Sequence, residues 1–93
     1  MTKLKDLEAE ILTIEYNGIM IETLFMQCPK EGCDHDICIP FHPTLMVHKE
    51  MYVWRQKSGS TIKDLTLAPS YILTGPNNCG LHGYVREGEW VNV

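Results

Sequence analysis

The sequence contains no long apolar run, no basic cluster, no internal repeat and no low-complexity segment. No stretch approaches the roughly 18 apolar residues of a membrane-spanning helix, which argues against membrane insertion. The first six residues carry charges where a secretion signal needs an apolar stretch, so we expect a cytoplasmic protein. The net charge of −4 and the absence of a basic patch argue against nucleic-acid binding.

The chain is short, and its cysteine and histidine content stands out. Its 93 residues are 44% apolar and 22% charged, which predicts one globular domain over residues 1–93. A core of this size is often supplemented by a disulfide, a metal ion or a partner chain. In a reducing cytosol, four Cys and four His favour a metal over disulfides.

Alternating apolar residues predict a mainly β fold, a small antiparallel domain of zinc-ribbon or Rieske-like type, built on hairpins around one metal site. The clearest element is a hairpin over about 11–26, because Asn17-Gly18 supplies the two positive-φ residues of a type I′ turn. Its strand residues Leu12, Ile14 and Tyr16 are expected on one face. A short N-terminal helix is predicted over residues 3–10, with Thr2 as its N-cap.

Further strands are predicted from the same alternation. Residues 44–50 fit either a loop or a helical turn, and residues 75–78 are expected to form a loop. Pro69 interrupts its ladder, so residues 70–74 are predicted as an edge strand or a bent continuation of the strand before it. The other predicted elements are strands at 35–41, 51–56 and 61–67 and a final hairpin over 84–93 that turns at Glu87-Gly88.

Two Cys/His clusters, Cys28-x4-Cys33-x-His35-x2-Cys38 and Cys79-x2-His82, have the spacing of zinc-ribbon or zinc-knuckle sites. A tetrahedral zinc ion needs two close pairs of ligands, and the neighbouring Gly32 and Gly80 would let backbone N–H groups turn toward the thiolates. We predict a metal site formed by three thiolates and one imidazole. The predicted ligands are Cys28, Cys33, Cys79 and His82, with His35 in reserve.

The remaining ligand-type residues have other expected positions. Cys38 alternates with Ile37 and Ile39 and is expected to be an ordinary strand residue, and His42 and His48 are expected at the surface.

The motifs Cys33-x-His35 and Cys79-x2-His82-Gly83 also resemble the ligand pattern of Rieske proteins, which hold a [2Fe–2S] cluster with two Cys and two His. That resemblance implies an electron-transfer protein as an alternative. It leaves Cys28 without a role, and the two motifs lie farther apart than in that family.

A longer resemblance covers roughly residues 23–92. The Cys28-Pro29 to Gly32-Cys33 loop, Trp54, the stretch Thr66-Leu67-Ala68-Pro69-Ser70 and the ending Cys79-Gly80-Leu81-His82-Gly83 are similar to a family of small zinc-binding domains found in bacteriophages and prophages. The resemblance implies a zinc-binding β domain of phage origin, acting in a bacterial host cell. It carries no assigned activity.

No catalytic signature is visible in the sequence. A site of three Cys and one His is saturated, as in structural zinc sites, whereas catalytic zinc keeps one open position. Ser70 lacks the nucleophile elbow of the α/β-hydrolases and is expected to stabilise a turn.

We therefore predict a protein-interaction module acting on host or phage machinery, with Trp54 and Trp90 as core residues or interface anchors. A second alternative is a zinc module of a multi-protein modification or defence system. An edge strand can pair with the same strand of a second chain, so the sequence leaves the oligomeric state, including a dimer, open.

Overall fold

The fold is given by a computed structural model that describes residues 2–30, 33, 35–44, 47–48, 51–72 and 79–93. Glu31, Gly32, Asp34 and the predicted loop at 75–78 lie outside the described residues. Within that part of the chain, no helix has the length and apolar character that a membrane crossing requires. The elements are a 3-10 turn, Leu4–Leu7, and the strands β1 (Thr2–Lys3), β2 (Glu10–Tyr16), β3 (Ile19–Gln27), β4 (Asp36–His42), β5 (Val47–His48), β6 (Met51–Tyr52), β7 (Trp54–Ser58), β8 (Thr66–Ala68), β9 (Tyr71–Ile72), β10 (His82–Arg86) and β11 (Glu89–Asn92).

The strands form two larger sheets and one small hairpin. The first sheet has the order β2-β3-β4-β7-β8, the second has the order β1-β11-β10-β9, and β5 pairs with β6. All pairs are antiparallel except β4 with β7, which run parallel. The prediction of a small, mainly antiparallel β domain is confirmed.

The first hairpin is confirmed, and its turn has the predicted backbone conformation. Tyr16 pairs with Ile19 across Asn17 and Gly18, whose φ angles are 50° and 83°. Leu12, Ile14 and Tyr16 share one face as expected, since they pair with Thr23, Ile21 and Ile19. Leu12 is 44% exposed on that face, whereas Leu24 and Met26, on the opposite face of β3, belong to the main core. Alternation set the period of the strand but did not tell which face another sheet would cover.

The final hairpin is also confirmed, since Glu87 and Gly88 turn with φ angles of 48° and 76° between β10 and β11. The predicted N-terminal helix is only a 3-10 turn, which buries Leu4 and Leu7 in the core.

The predicted strand over residues 61–67 begins only at Thr66, because a turn occupies the residues before it. That turn is closed by the Asp64 carboxylate. Its Oδ1 accepts hydrogen bonds from the backbone N–H of Ser60 and from both the N–H and the hydroxyl of Thr61. This is the local side-chain bonding by which Asp competes with a β ladder.

One cluster of buried side chains joins the two larger sheets. Leu24, Ile39 and Phe41 contribute from the five-stranded sheet, and Val85 and Trp90 contribute from the four-stranded sheet. Trp90 is only 1% exposed, so it is a core residue.

The turn at Gly88 adds backbone bonds to this junction. Gly88 N–H donates to the Leu65 carbonyl at 2.9 Å, and Leu4 N–H donates to the Gly88 carbonyl at 3.0 Å. The far end of β10 is thereby tied to the five-stranded sheet.

Two leucines of the first hairpin test which of its faces belongs to the main core. Leu24→Ala removes a fully buried side chain and is expected to lower the free energy of unfolding by about 2–5 kcal/mol. Leu12→Ala, on the exposed face, is expected to cost less than about 1 kcal/mol. Urea titration followed by tryptophan fluorescence measures both. Equal losses would contradict the placement of the core on the Leu24 face.

Candidate functional site

Three cysteines and one histidine meet where the β3–β4 hairpin faces the segment that leads into β10. Cys28, Cys33 and His35 lie in the connection between β3 and β4, and Cys79 precedes β10. Cys28 N–H donates to the His35 carbonyl at 2.9 Å, and Cys33 N–H donates to the Lys30 carbonyl at 3.1 Å. These two bonds extend the hairpin beyond the ladder and fold its end into a tight loop.

The four candidate ligand atoms are close enough to share one ion. The Sγ atoms of Cys28, Cys33 and Cys79 and a ring nitrogen of His35 all lie within 4.8 Å of one another. Cys28 Sγ is 3.6 Å from Cys79 Sγ, and both thiols are free. Sulfur atoms bound to one tetrahedral zinc at 2.3 Å lie roughly 3.8 Å apart. The cluster therefore has the dimensions of a closed tetrahedral site.

The thiols of this cluster differ in acidity. A hydrogen bond with His35 is the main cause that lowers the pKa of Cys79 to about 6, and the same contact raises the pKa of His35. Burial raises the pKa of Cys28 to about 11, and the hydrogen bond with Cys79 raises that of Cys33. Cys79 is thus the thiol most ready to ligate, whereas Cys28 needs the ion itself to release its proton.

His82, predicted as the fourth ligand, lies outside this cluster, and the reserve residue His35 lies inside it. The Nε2 atom of His82 is instead 3.0 Å from the hydroxyl Oγ of Ser70. Cys38 is exposed on β4, as expected for an ordinary strand residue. The structure therefore separates two features that the sequence spacing merged into one, a Cys/His cluster and a Ser–His pair.

Strand pairing explains why Ser70 meets His82. β9 runs antiparallel to β10, and Ile72 pairs with His82. Ser70 lies two residues before Ile72, so alternation directs its side chain to the same face as that of His82. Tyr71, between them, points to the opposite face, where it is 8% exposed and part of the core.

The backbone of Ser70 is held from a third strand. The indole N–H of Trp54, on β7, donates to the Ser70 carbonyl at 3.3 Å, and the Trp54 ring packs on Tyr71 with centroids 5.1 Å apart. Trp54 is only partly buried. The described residues bring no carboxylate to the His82 ring, so Ser70 and His82 form a dyad.

Two surface grooves border the dyad. One of about 570 Å³ is lined by Tyr52, Arg55 and Pro69, the residue before Ser70. The other, of about 500 Å³, is lined by His82 itself with Lys30 and Asn92 among its walls. Ser70 and His82 are each part-buried, and His82 lines the second of these grooves.

Residues 2–93 match the family described as bacterial ubiquitination-like system serine protease (BubE). The chain belongs to the BubE family. No curated protein and no solved structure matches the chain significantly.

Membership of the BubE family bears on the sequence-based predictions. The family description names a ubiquitination-like system, which agrees with the alternative of a module in a multi-protein modification system. It also names a serine protease, whereas the sequence predicted a turn-stabilising role for Ser70 and a metal-ligand role for His82. The Ser–His pair could not be found from the sequence, because Ser70 and His82 lie twelve residues apart and do not form a recognised catalytic motif.

The Cys79–His35 contact makes a prediction about thiol reactivity in metal-free protein. Alkylation of Cys79 by iodoacetamide should rise with pH around a midpoint near 6. His35→Gln removes the main cause of the lowered pKa, so the midpoint should move up toward the ordinary value of about 8.5 and the rate at pH 7 should fall about tenfold. Mass spectrometry of the Cys79 peptide measures the rate. His42→Gln is the control, and an unchanged midpoint in His35→Gln would contradict the assigned cause.

Proposed function

We propose that the chain is a serine hydrolase that cleaves acyl bonds at the C-terminus of a ubiquitin-like protein. Ser70 is the nucleophile and His82 is the general base. The observation that carries the proposal is the 3.0 Å contact between Ser70 Oγ and His82 Nε2. It occurs in a chain whose family is described as a serine protease of a ubiquitination-like system.

The dyad supports a two-step acyl transfer. His82 Nε2 takes the hydroxyl proton as Ser70 Oγ attacks the carbonyl carbon, and the proton then passes to the leaving amine or alcohol as its bond to that carbon breaks. The resulting ester on Ser70 is hydrolysed by a water molecule that His82 activates in the same way. Peptide, isopeptide and ester bonds all fit this sequence of steps.

The surroundings of the dyad support an extended peptide as substrate. One groove includes Pro69, the residue before Ser70, and the other includes His82, so both offer walls for a bound chain segment next to the dyad. Ile72 is 51% exposed on the same face and offers an apolar contact next to the nucleophile. A flexible tail of a ubiquitin-like protein has the extended form that such a surface accepts.

This proposal also gives the predicted protein partner a chemical role. The partner is a substrate, bound through its tail, rather than host machinery that the chain obstructs. The phage origin, the cytoplasmic location and the dimer remain predictions from the sequence.

Covalent labelling tests the dyad directly. We expect a fluorophosphonate probe to modify the purified protein at Ser70, located by mass spectrometry of the modified peptide. Ser70→Ala should abolish labelling, and His82→Gln should slow it about a thousandfold, because the hydroxyl loses its base. Cleavage of a C-terminal fluorogenic amide of the ubiquitin-like protein should fall in parallel.

A matched serine provides the control for that experiment. Ser58→Ala removes an exposed hydroxyl on β7 and should leave both labelling and cleavage unchanged. Labelling of wild-type protein that persists in Ser70→Ala, or a complete absence of labelling, would contradict the proposal.

We further propose that the Cys/His cluster holds one zinc ion in a structural role. Three thiolates and one imidazole are a donor set that zinc prefers, and four protein ligands leave no open position for catalysis. The [2Fe–2S] alternative needs a second histidine, and His82 contacts Ser70 instead. The ion would be bound by Cys28, Cys33, His35 and Cys79, apart from the dyad that carries the reaction.

Metal analysis and two cysteine variants test the zinc proposal. Purified protein should contain one zinc per chain and show no visible absorption. The roughly 10–16 kcal/mol that structural zinc contributes applies to zinc-finger peptides, which have almost no core, whereas this chain buries a hydrophobic core of its own. Cys28→Ser should therefore lose the zinc and melt at a clearly lower temperature, while keeping its β-sheet circular dichroism at low temperature. Cys38→Ser, on the exposed face of β4, should keep both the zinc and the melting temperature. Protein that lacks stoichiometric metal, or that contains iron and sulfide, would overturn the assignment.

A further inference from the structure

We infer that Cys79, as a ligand in the Cys/His cluster, positions the base of the dyad, so that metal binding at the cluster sets the catalytic competence of Ser70 and His82. This inference rests on the proposed function. The juxtaposition that carries it is the short segment from Cys79 to His82. Its first residue belongs to the cluster and its last residue touches Ser70.

The two ends of β10 are held in different ways. The far end is tied to the five-stranded sheet by backbone, through the bond from Gly88 N–H to the Leu65 carbonyl. Thr66 Oγ1 adds to this tie by accepting a hydrogen bond from Glu87 N–H at 2.8 Å.

At the near end, the backbone contacts of His82 lie within its own sheet. His82 pairs with Ile72, and its carbonyl accepts a hydrogen bond from the Val93 N–H. Within the described residues, the tie from this end to the β3–β4 loop consists of the thiol cluster and one hydrogen bond from Lys30 Nζ to the Cys79 carbonyl.

The segment between cluster and dyad has little slack. Leu81 is 3% exposed and belongs to the core, so it anchors the middle of the segment. Gly80, with a φ angle of 75°, makes the bend between Cys79 and Leu81. Only Gly80 and Leu81 separate Cys79 from His82, so the cluster and the base belong to one short stretch of backbone with no loop between them.

The other member of the dyad is supported independently of the metal. Ser70 is held by Trp54 on β7 and by the buried ring of Tyr71. Release of the cluster therefore acts on the backbone that leads to His82, whose remaining support is strand pairing and the buried Leu81, and leaves the supports of Ser70 unchanged. A dyad depends on the distance between base and hydroxyl, and a misplacement of about 1 Å can cost about a hundredfold in rate.

The first arm of the experiment removes the metal from the wild-type chain. Chelator treatment at low temperature, with retained β-sheet circular dichroism, should slow fluorophosphonate labelling of Ser70 about tenfold or more. Added zinc should restore the rate. Labelling at the same rate in folded, metal-free protein would overturn the inference.

The second arm keeps the metal bound and strains only the connecting segment. Gly80→Ala adds a Cβ whose nearest neighbour is Lys30 Nζ at 3.9 Å, so the substitution acts through the positive φ and not through a clash. Gly18→Ala is the matched control, because Gly18 has a φ of 83° in the first hairpin and open space around its Cβ position. Both variants are compared as protein with zinc bound at one per chain.

Gly80→Ala should slow the labelling of Ser70 about tenfold relative to wild type, while Gly18→Ala stays within about twofold. The hydrolysis of the fluorogenic amide should lose turnover as well. Gly80 also lines the groove beside His82, so the labelling rate with the small probe, and not KM, decides this test. Equal labelling of the two variants overturns the inference while leaving the serine hydrolase proposal intact. A wild-type chain that holds zinc and never reacts with the probe overturns the proposed function instead.

Discussion

The attachment of β10 at both ends is the constraint on which the rest of this molecule depends. Its far end is joined to the five-stranded sheet by the backbone bonds at Gly88, and its near end meets the Cys/His cluster through Cys79. Between these points the strand carries His82 on one face and Val85 in the core. One strand thus joins the two sheets, helps to close the core and presents the base of the dyad.

The proposed hydrolytic chemistry would rest on a very small scaffold. The α/β-hydrolases hold their nucleophile on a sharp strand-to-helix turn, whereas here Ser70 immediately precedes a two-residue edge strand. Its position is maintained by contacts behind it, the indole N–H of Trp54 and the buried ring of Tyr71. In the proposed hydrolase, the Cys/His cluster on the histidine side and the aromatic pair on the serine side take the place of the extensive core that a larger enzyme would use.

The local turns and strand periods were predictable because they depend on neighbouring residues. Asn17-Gly18 and Glu87-Gly88 adopt the positive-φ turns that their side chains permit, and the alternation in 35–41 gave the buried face of β4 correctly. Predictions that depended on distant contacts were less secure. The face that Leu12 shares with Ile14 and Tyr16 followed from alternation, but only the second sheet decided that the main core lies on the Leu24 side of the hairpin, because alternation cannot say which face another sheet will cover.

The site divides in the same way. The sequence by itself determined that cysteines and histidines would collect at hairpin ends, since their spacing next to glycines is a local property. Only the tertiary structure decided between His35 and His82, because both lie within three residues of a cysteine. The pairing of β9 with β10 turns the side chain of His82 toward Ser70. Spacing along the chain measures which residues can approach one another. The register of two strands selects the pair that meets, and here the pairing of β9 with β10 directed His82 to a hydroxyl, while His35 meets the thiols from the connection between β3 and β4.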